Sequence, residues 1–438
     1  MASLTYTELL KGNRPFRNLL AGQVVSELGN WFNFIAVLGL VRSVTGAAPE
    51  PTAVLMVLRM APFALFSPLA GALADLWSRR ALMIWSDVAR AALALGFLLV
   101  RGPEDLWLAY ACTGLAALLS SVFEGARNAA MPNVTGDGGL LAGNALMYSS
   151  RFLLMSVGAA LGGAAAYVFG YEAAFVINAL SFVYSAYTVW LIPEEATREG
   201  EAAAVNVRVL SRVWRDVGEG WRYVAGHRLV AALIGVNVLW ATGGGALNLI
   251  YERLGGVTFA GRGGLEGDAG VAAVYTAVGA GLFIGMLMAR RIGSYVEVRG
   301  LTQGFIGWMI VAHGVVFALA GLMPSLWLAM ALILVSRVIV GVEFAVQDTL
   351  LMRLLPDSYR GRVMTTDRAG EIAVMSLTGG LAGWLLASGV LTPRGLTIAS
   401  GLLSAVPGAV WLVLFASGRL TMARHRLRPD ETAAAAGP

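Results

Sequence analysis

Lysine, cysteine and histidine are nearly absent from this 438-residue chain. Lys11 is the one lysine, so 31 of the 32 basic residues are arginine. A phosphate-binding P-loop needs a lysine directly after its glycines. Lys11 follows Leu10 and precedes Gly12, which excludes an ATP-driven motor built into the chain. A retinal-type Schiff base is excluded too, because Lys11 precedes the first apolar run. The one cysteine, Cys112, can form neither an intrachain disulfide nor a multi-cysteine metal site. It reads as a small apolar packing residue. His227, His313 and His425 are scattered and form no nucleophile–base or metal cluster, so neither an enzyme nor a cofactor is expected.

Charge is scarce as well. Charged residues make up 13% of the chain and hydrophobic ones 57%, against roughly 25% charged in soluble domains. That much apolar surface needs lipid as its solvent. The 54 glycines and 14 prolines interrupt the runs and argue against an aggregating chain. The start, "MASLTYTELLKGNRPFRN", lacks the short apolar core and small-residue cleavage site of a secretory signal, so the first run is expected to stay in the mature protein.

What the chain does contain is a series of apolar runs. A helix needs about 20 mostly apolar residues to cross a bilayer. Twelve such runs lie near Phe16–Val41, Thr52–Leu73, Ala81–Val100, Leu106–Met131, Leu140–Phe169, Tyr171–Ile192, His227–Tyr251, Ala269–Ala289, Leu301–Gly321, Leu326–Met352, Val363–Val390 and Gly395–Ser417. With both termini cytoplasmic, 21 Lys and Arg fall on cytoplasmic segments and 5 on external ones: Arg42, Arg101, Arg253, Arg262 and Arg394. Such a split is what the positive-inside rule asks of a multi-pass protein of the cell (inner) membrane. Trp107, Trp190 and Trp327 stand near run ends, where interfacial anchors belong.

The polar stretch 193–226 separates six runs from six. Its second part, "RVLSRVWRDVGEGWRYV", puts Val213, Trp214, Val217 and Trp221 on one side of a helix, as a helix lying on the inner membrane surface would. The halves repeat weakly: "ALADLWSRR" after Gly71 corresponds to "MLMARR" after Gly285, and "SVGAALGG" to "SLTGGLAG". The expected architecture is all-α integral membrane, with twelve transmembrane helices in two six-helix bundles related by pseudo-symmetry. The bundles are 1–192 and 227–418, the linker 193–226 and the cytoplasmic tail 419–438.

The stretch "GALADLWSRR" makes the reading specific. Gly71, Asp75, Arg79 and Arg80 form a glycine, an aspartate four residues on, and a basic pair between runs two and three. With twelve runs in two halves, this resembles the major facilitator superfamily, over nearly the whole chain. Leu76 and Ser78 stand where that family usually has an arginine and a glycine. "FRNLLAGQVVSELGNWF", "RRALMIWSDVARA" and "FEGARNAAMP" look like the branch of macrolide-efflux and enterobactin-exporter proteins, which often has an aspartate where this chain has Asn30. The resemblance implies that Asp75 caps the start of run eleven, "YRGRVMTTD" with Arg360 and Arg362, when the inner side is closed. Asp75, at a helix C-terminus, would gain from facing another helix's N-terminus. Gly158, Gly162 and Gly163 have the small-residue spacing of close helix packing and resemble the antiporter motif of drug exporters, with Ala159 in place of its proline.

Charges deep in a span are costly and tend to be paired and functional. By depth, Glu124, Arg127, Glu343 and Asp348 read as inner-gate pairs, as do Asp87 and Arg90, which extend the gating motif. Glu27, Arg151, Arg337 and Glu371 lie nearer mid-depth, and Arg59 toward the outer end of run two. The implied fold sets run one beside run five and run ten beside run eleven. Glu27 with Arg151 and Arg337 with Glu371 are then expected pairs, either static ion pairs or carboxylates that bind a proton or cationic substrate. His313 reads as a hydrogen-bonded helix–helix contact.

The leading function is secondary-active, proton-coupled efflux of a hydrophobic or amphipathic small molecule, drug- or siderophore-like. Its partners are that small molecule, protons and the lipid bilayer, with no nucleic acid, for a monomer. Two alternatives stand beside it: an importer or facilitator of a small metabolite on the same fold, and a non-transporting scaffold or lipid-handling protein. Fold alone does not fix direction or substrate.

Overall fold

The computed structural model describes residues 4–136, 138–197, 208–259, 265 and 267–418. The described residues are helical nearly throughout. In chain order the helices are α1 (Tyr6–Gly12), α2 (Arg14–Val44), α3 (Pro49–Leu76), α4 (Arg79–Gly96), α5 (Leu106–Thr135), α6 (Leu140–Trp190), α7 (Arg208–Gly226), α8 (Arg228–Gly244), α9 (Leu247–Arg253), α10 (Gly267–Val298), α11 (Thr302–Ala320), α12 (Leu326–Leu354), α13 (Asp357–Ala387) and α14 (Pro393–Ala416). Among the described residues ten helical stretches are long and apolar enough to cross a membrane. Helices suit lipid because every backbone group is bonded within its own segment. Their starts are marked by short polar side chains: Asn13, Ser78 and Thr392 accept from the backbone N–H three residues on.

One of the ten stretches, Ala142–Trp190, is 49 residues long and holds two expected runs. Gly170 divides it, with φ 77° and ψ 173°, a left-handed conformation that favours glycine. Packing along α2 shows the chain reversing there. Before Gly170, Gly143, Gly158 and Gly162 approach Phe16, Trp31 and Phe32 in ascending order; after it, Ser181 and Thr188 approach Gly29 and Gly22 in descending order. The close approach at Gly158 and Gly162 is the small-residue packing their spacing predicted. Gly163 belongs to a different contact, with Ala272 of α10.

The seventh run differs from its expected form. It extends through a break at Gly245–Ala246 into α9 and a wide turn, Leu254–Thr258. A Cβ on Gly245 would lie 2.3 Å from the Met375 carbonyl, so glycine lets this break press against α13. The extension draws Arg253, expected in an external loop, into the protein, where it is buried.

Helices α2–α6 pack mainly on one another, and α8–α14 do likewise. Four helix pairings join the two groups: α6 with α10, α2 with α10, α3 with α13 and, more lightly, α3 with α9. Their close contacts include Ser156 with Gly279, Ala53 with Gly383 and Val57 with Gly380. All lie in the half of the molecule that carries Arg42, called here the Arg42 end; Arg79 marks the opposite end. Trp107, Trp190 and Trp327 are exposed near helix ends. The α7 helix packs on α8, α13 and α3. Trp221 on it is exposed, while the side chains of Val213, Trp214 and Val217, all of Arg262 and the tail 419–438 lie outside the described residues.

Candidate functional site

A cavity of about 430 Å³ lies against α2–α6, with Asn248 and Ile372 from the second group completing its wall. Its floor holds a linked set of polar groups. Gln23 and Glu27 are one helical turn apart on α2, and Glu124 and Arg127 nearly so on α5, which puts each pair on one helix face. Arg151 of α6 lies 3.1 Å from Glu124 and 3.9 Å from Glu27. Arg127 donates to Gln23 Oε1 at 2.7 Å, and Gln23 Nε2 donates to the Met147 carbonyl at 3.2 Å. Arg151 is 46% exposed, though far from either end of α6. The charge is therefore wetted by the cavity, not buried against lipid.

This differs from the depth-based sorting. Glu124 and Arg127 were expected at an inner gate, apart from Glu27 and Arg151. The helix α5 runs on to Thr135. Eleven residues separate Glu124 from that end, about 16 Å at 1.5 Å per residue, so both carboxylates share one cavity and one arginine.

Asp87 and Arg90 also lie elsewhere than a gate between the groups. They form a buried ion pair within α4. Arg90 sits between the rings of Phe123 and Phe182, at 4.7 and 4.4 Å, and donates to Ser120. These partners all belong to α5 and α6. Arg79 donates to the carbonyls of Ala129 at 2.8 Å and Thr197 at 3.1 Å, and Arg80 to that of Trp190. At Trp190 and Thr197 the basic pair thus caps chain ends whose carbonyls lack helical partners, while the Ala129 carbonyl lies within α5. Gly71 has open space where a Cβ would stand. Asp75 occupies the last turn of α3; its side chain, like those of Arg360 and Arg362, lies outside the described residues.

In the second group, the expected Arg337–Glu371 pair is not formed. Glu371 pairs at 2.7 Å with Arg368, three residues before it on the same helix face. A partner on the same helix needs no reach across to α12, which is why it wins. Arg337 is buried over the Phe317 ring and donates to Ser336 Oγ. Asp367 accepts from Asn237 at 2.8 Å, and Gln347 donates to that asparagine. Glu343 is buried and makes no hydrogen bond or ion pair with described residues, and Asp348 is half-buried nearby on the same helix. His313 accepts from Trp240 Nε1 at 2.9 Å, a helix–helix contact of the kind expected of it. Asp367 and Asn237 were not singled out in the sequence, although "TTDRAGE" sets three charges within five residues.

The Arg42 end holds a network that sequence reasoning missed. Arg42 of α2 pairs with Glu252 of α9 at 3.0 Å and with Asp268 of α10. Tyr171 donates to Asp268 Oδ2 at 2.7 Å. Arg253 pairs with Glu252 at 2.7 Å and donates to the carbonyls of Ala47 and Ala48. Glu252 is fully buried, and the Arg42 side chain is 11% exposed. Below the network the rings of Phe34, Trp31, Tyr275, Tyr251 and Phe317 touch in series across the two groups, with neighbouring centroids 5.2–6.2 Å apart. Charge and aromatic surface together shut this end. As loop arginines, Arg42 and Arg253 carried no such signal.

Residues 19–309 match the family model of the Major Facilitator Superfamily. The chain belongs to that superfamily. The uncharacterized MFS-type transporter YfiS of Bacillus subtilis (strain 168) is 30% identical over 190 residues, 43% of this chain and 44% of that one. The match therefore spans less than half of the relative's length. Among solved structures, a POT family transporter in complex with 5-aminolevulinic acid superposes with a TM-score of 0.72 at 13% identity, covering 94% of this chain and 97% of that one. The nucleoside transporter NupG gives 0.68 at 14% identity, covering 92% and 99%. A bacterial homologue of the iron transporter ferroportin, in an inward-facing state, gives 0.67 at 14% identity, covering 91% and 98%. These likenesses are of fold. As a major facilitator protein, the chain is a multi-pass membrane protein whose fold is consistent with secondary-active transport, and its family and solved relatives are transporters.

Proposed function

We propose that this protein exports an amphipathic small molecule across the cell (inner) membrane, driven by inward proton flow, as in the macrolide-efflux and enterobactin-exporter branch. In this reading twelve spans form two six-helix bundles, 1–192 and 227–418, joined by the cytoplasmic linker 193–226. Both termini are cytoplasmic, and the Arg42 end faces outward. The observation that carries it is the central cavity: aromatic walls, a wetted carboxylate–arginine cluster, and a shut Arg42 end. A carboxylate whose arginine partner moves away can take up a proton, since burial favours its neutral form and a nearby guanidinium its charged form. Glu27 holds the long 3.9 Å arm of the cluster, so it is the first acid to be released when Arg151 shifts.

The deciding experiment is substrate accumulation in cells lacking their own pumps, with and without a protonophore. Expression should lower accumulation, the protonophore should restore it, and Glu27→Gln should abolish uphill export while substrate binding persists. Full protonophore-sensitive export by both Glu27→Gln and Glu371→Gln places the proton carrier elsewhere. Export that ignores the protonophore turns the reading into a facilitator, and raised accumulation turns it into an importer. Orientation has its own check. Cysteines introduced at Ser3 and Thr432, in a Cys112→Ala background, should resist an impermeant maleimide in intact cells; labelling of either one sinks the cytoplasmic assignment.

A further inference from the structure

The cavity's arginines are not equally occupied. Arg90 is held by Asp87, Arg127 by Gln23 and Asn128, and Arg151 by Glu124 and, at longer range, Glu27. Arg59 of α3 lines the same cavity and is exposed within it, yet it forms no hydrogen bond or ion pair with any described residue. Its guanidinium lies 4.1 Å from the centroid of the Phe34 ring. Trp31, Phe63 and Met60 continue the apolar wall beside it. A cation at membrane depth is costly unless something answers its charge. A ring face answers only part of it, and a guanidinium keeps its donor fork free for a planar anion. The two carboxylates of the cavity, by contrast, face Arg151, and Glu27 attracts Arg59 only at longer range, without an ion pair. A cationic ligand would have to displace that arginine, whereas an anionic one finds Arg59 open.

We infer that Arg59 is an anion-binding subsite, and that the cavity takes small amphipathic molecules carrying a carboxylate or similar acid group beside an aromatic or apolar body. This deepens the transport reading and rests on the cavity being its substrate site.

Three probes with one ring and three charges test it: 2-naphthoate, 2-naphthamide and 2-naphthylmethylammonium, titrated calorimetrically into the purified full-length protein in detergent. A charge-assisted pair in place of a neutral contact should make naphthoate bind about tenfold more tightly than the amide. Arg59→Gln should bring acid and amide within about twofold, and Arg59→Lys should keep part of the preference, since an ammonium retains the charge without the fork. Both variants should elute as the wild type does on size exclusion; should Arg59→Gln not, the lysine variant and the wild-type ranking decide. Equal binding of acid and amide, tightest binding of the ammonium probe, or an unchanged preference in Arg59→Gln overturns the anion subsite and leaves the transport reading intact. If no probe binds in any charge form, the cavity is not a site for such molecules, and the cavity-based reading falls together with this inference.

Discussion

Arg42→Ala is expected to open the Arg42 end. Among the described residues, the substitution leaves Asp268 with the Tyr171 hydroxyl and leaves the fully buried Glu252 dependent on Arg253. Removing one partner of a buried ion pair costs about 3–5 kcal/mol. Because Arg253 still holds Glu252, we take the low end, about 3 kcal/mol, which corresponds to roughly a hundredfold change in the open-to-closed ratio. A reporter cysteine at Ala53, buried against Gly383 in the seam between α3 and α13, reads this out in a Cys112→Ala background. Its alkylation by N-ethylmaleimide should speed up about a hundredfold in Arg42→Ala, and by under tenfold in Arg42→Lys, which keeps the charge. A rate within twofold of the parent in Arg42→Ala means that the network does not hold this end shut.

Locking the same seam covalently should stop transport altogether. A Cβ on Gly380 would stand 3.7 Å from Val57 Cγ2, in ordinary contact, so a cysteine pair at these positions faces across the seam at cross-linking range. Val57→Cys with Gly380→Cys, again with Cys112 replaced, should transport when reduced and lose all transport when oxidised, with recovery on adding reductant. Each single variant should be indifferent to oxidant. Wild-type transport by the fully cross-linked protein would show that substrate crosses without separation of the helices at this end, against an alternating cycle.

The candidate site was legible in unequal parts. Glu27, Glu124, Arg127 and Arg151 stood out because charge is rare in so apolar a chain, and the structure brings all four to one cavity. Their partners were less legible. Spacing along one helix is readable, but the choice among partners depends on which helix faces which. Thus Arg151 prefers Glu124 to Glu27, and Glu371 takes Arg368 in place of Arg337. The network at the Arg42 end was invisible for a related reason. Arg42, Glu252, Arg253 and Asp268 lie at helix ends, where charge is the norm, and only the joining of α2 to α9 and α10 gives them a shared role.

By itself the sequence determined the solvent and the elements. Long apolar runs with 13% charge need lipid, and lipid admits backbone only when its hydrogen bonds close within a helix; the expected boundary between the runs ending at Phe169 and starting at Tyr171 falls where the chain turns back. Those are local consequences of residue type and cost nothing in long-range information. Only the tertiary structure decided which charges are spent and which are free. Arg59, Arg90 and Arg127 look alike in the sequence, yet among the described residues one is paired with a carboxylate, one with an amide, and one lies over a ring and lines the cavity without an ion pair. Pairing is settled by distances across helices of a few ångströms, and these follow from packing between segments far apart in the chain.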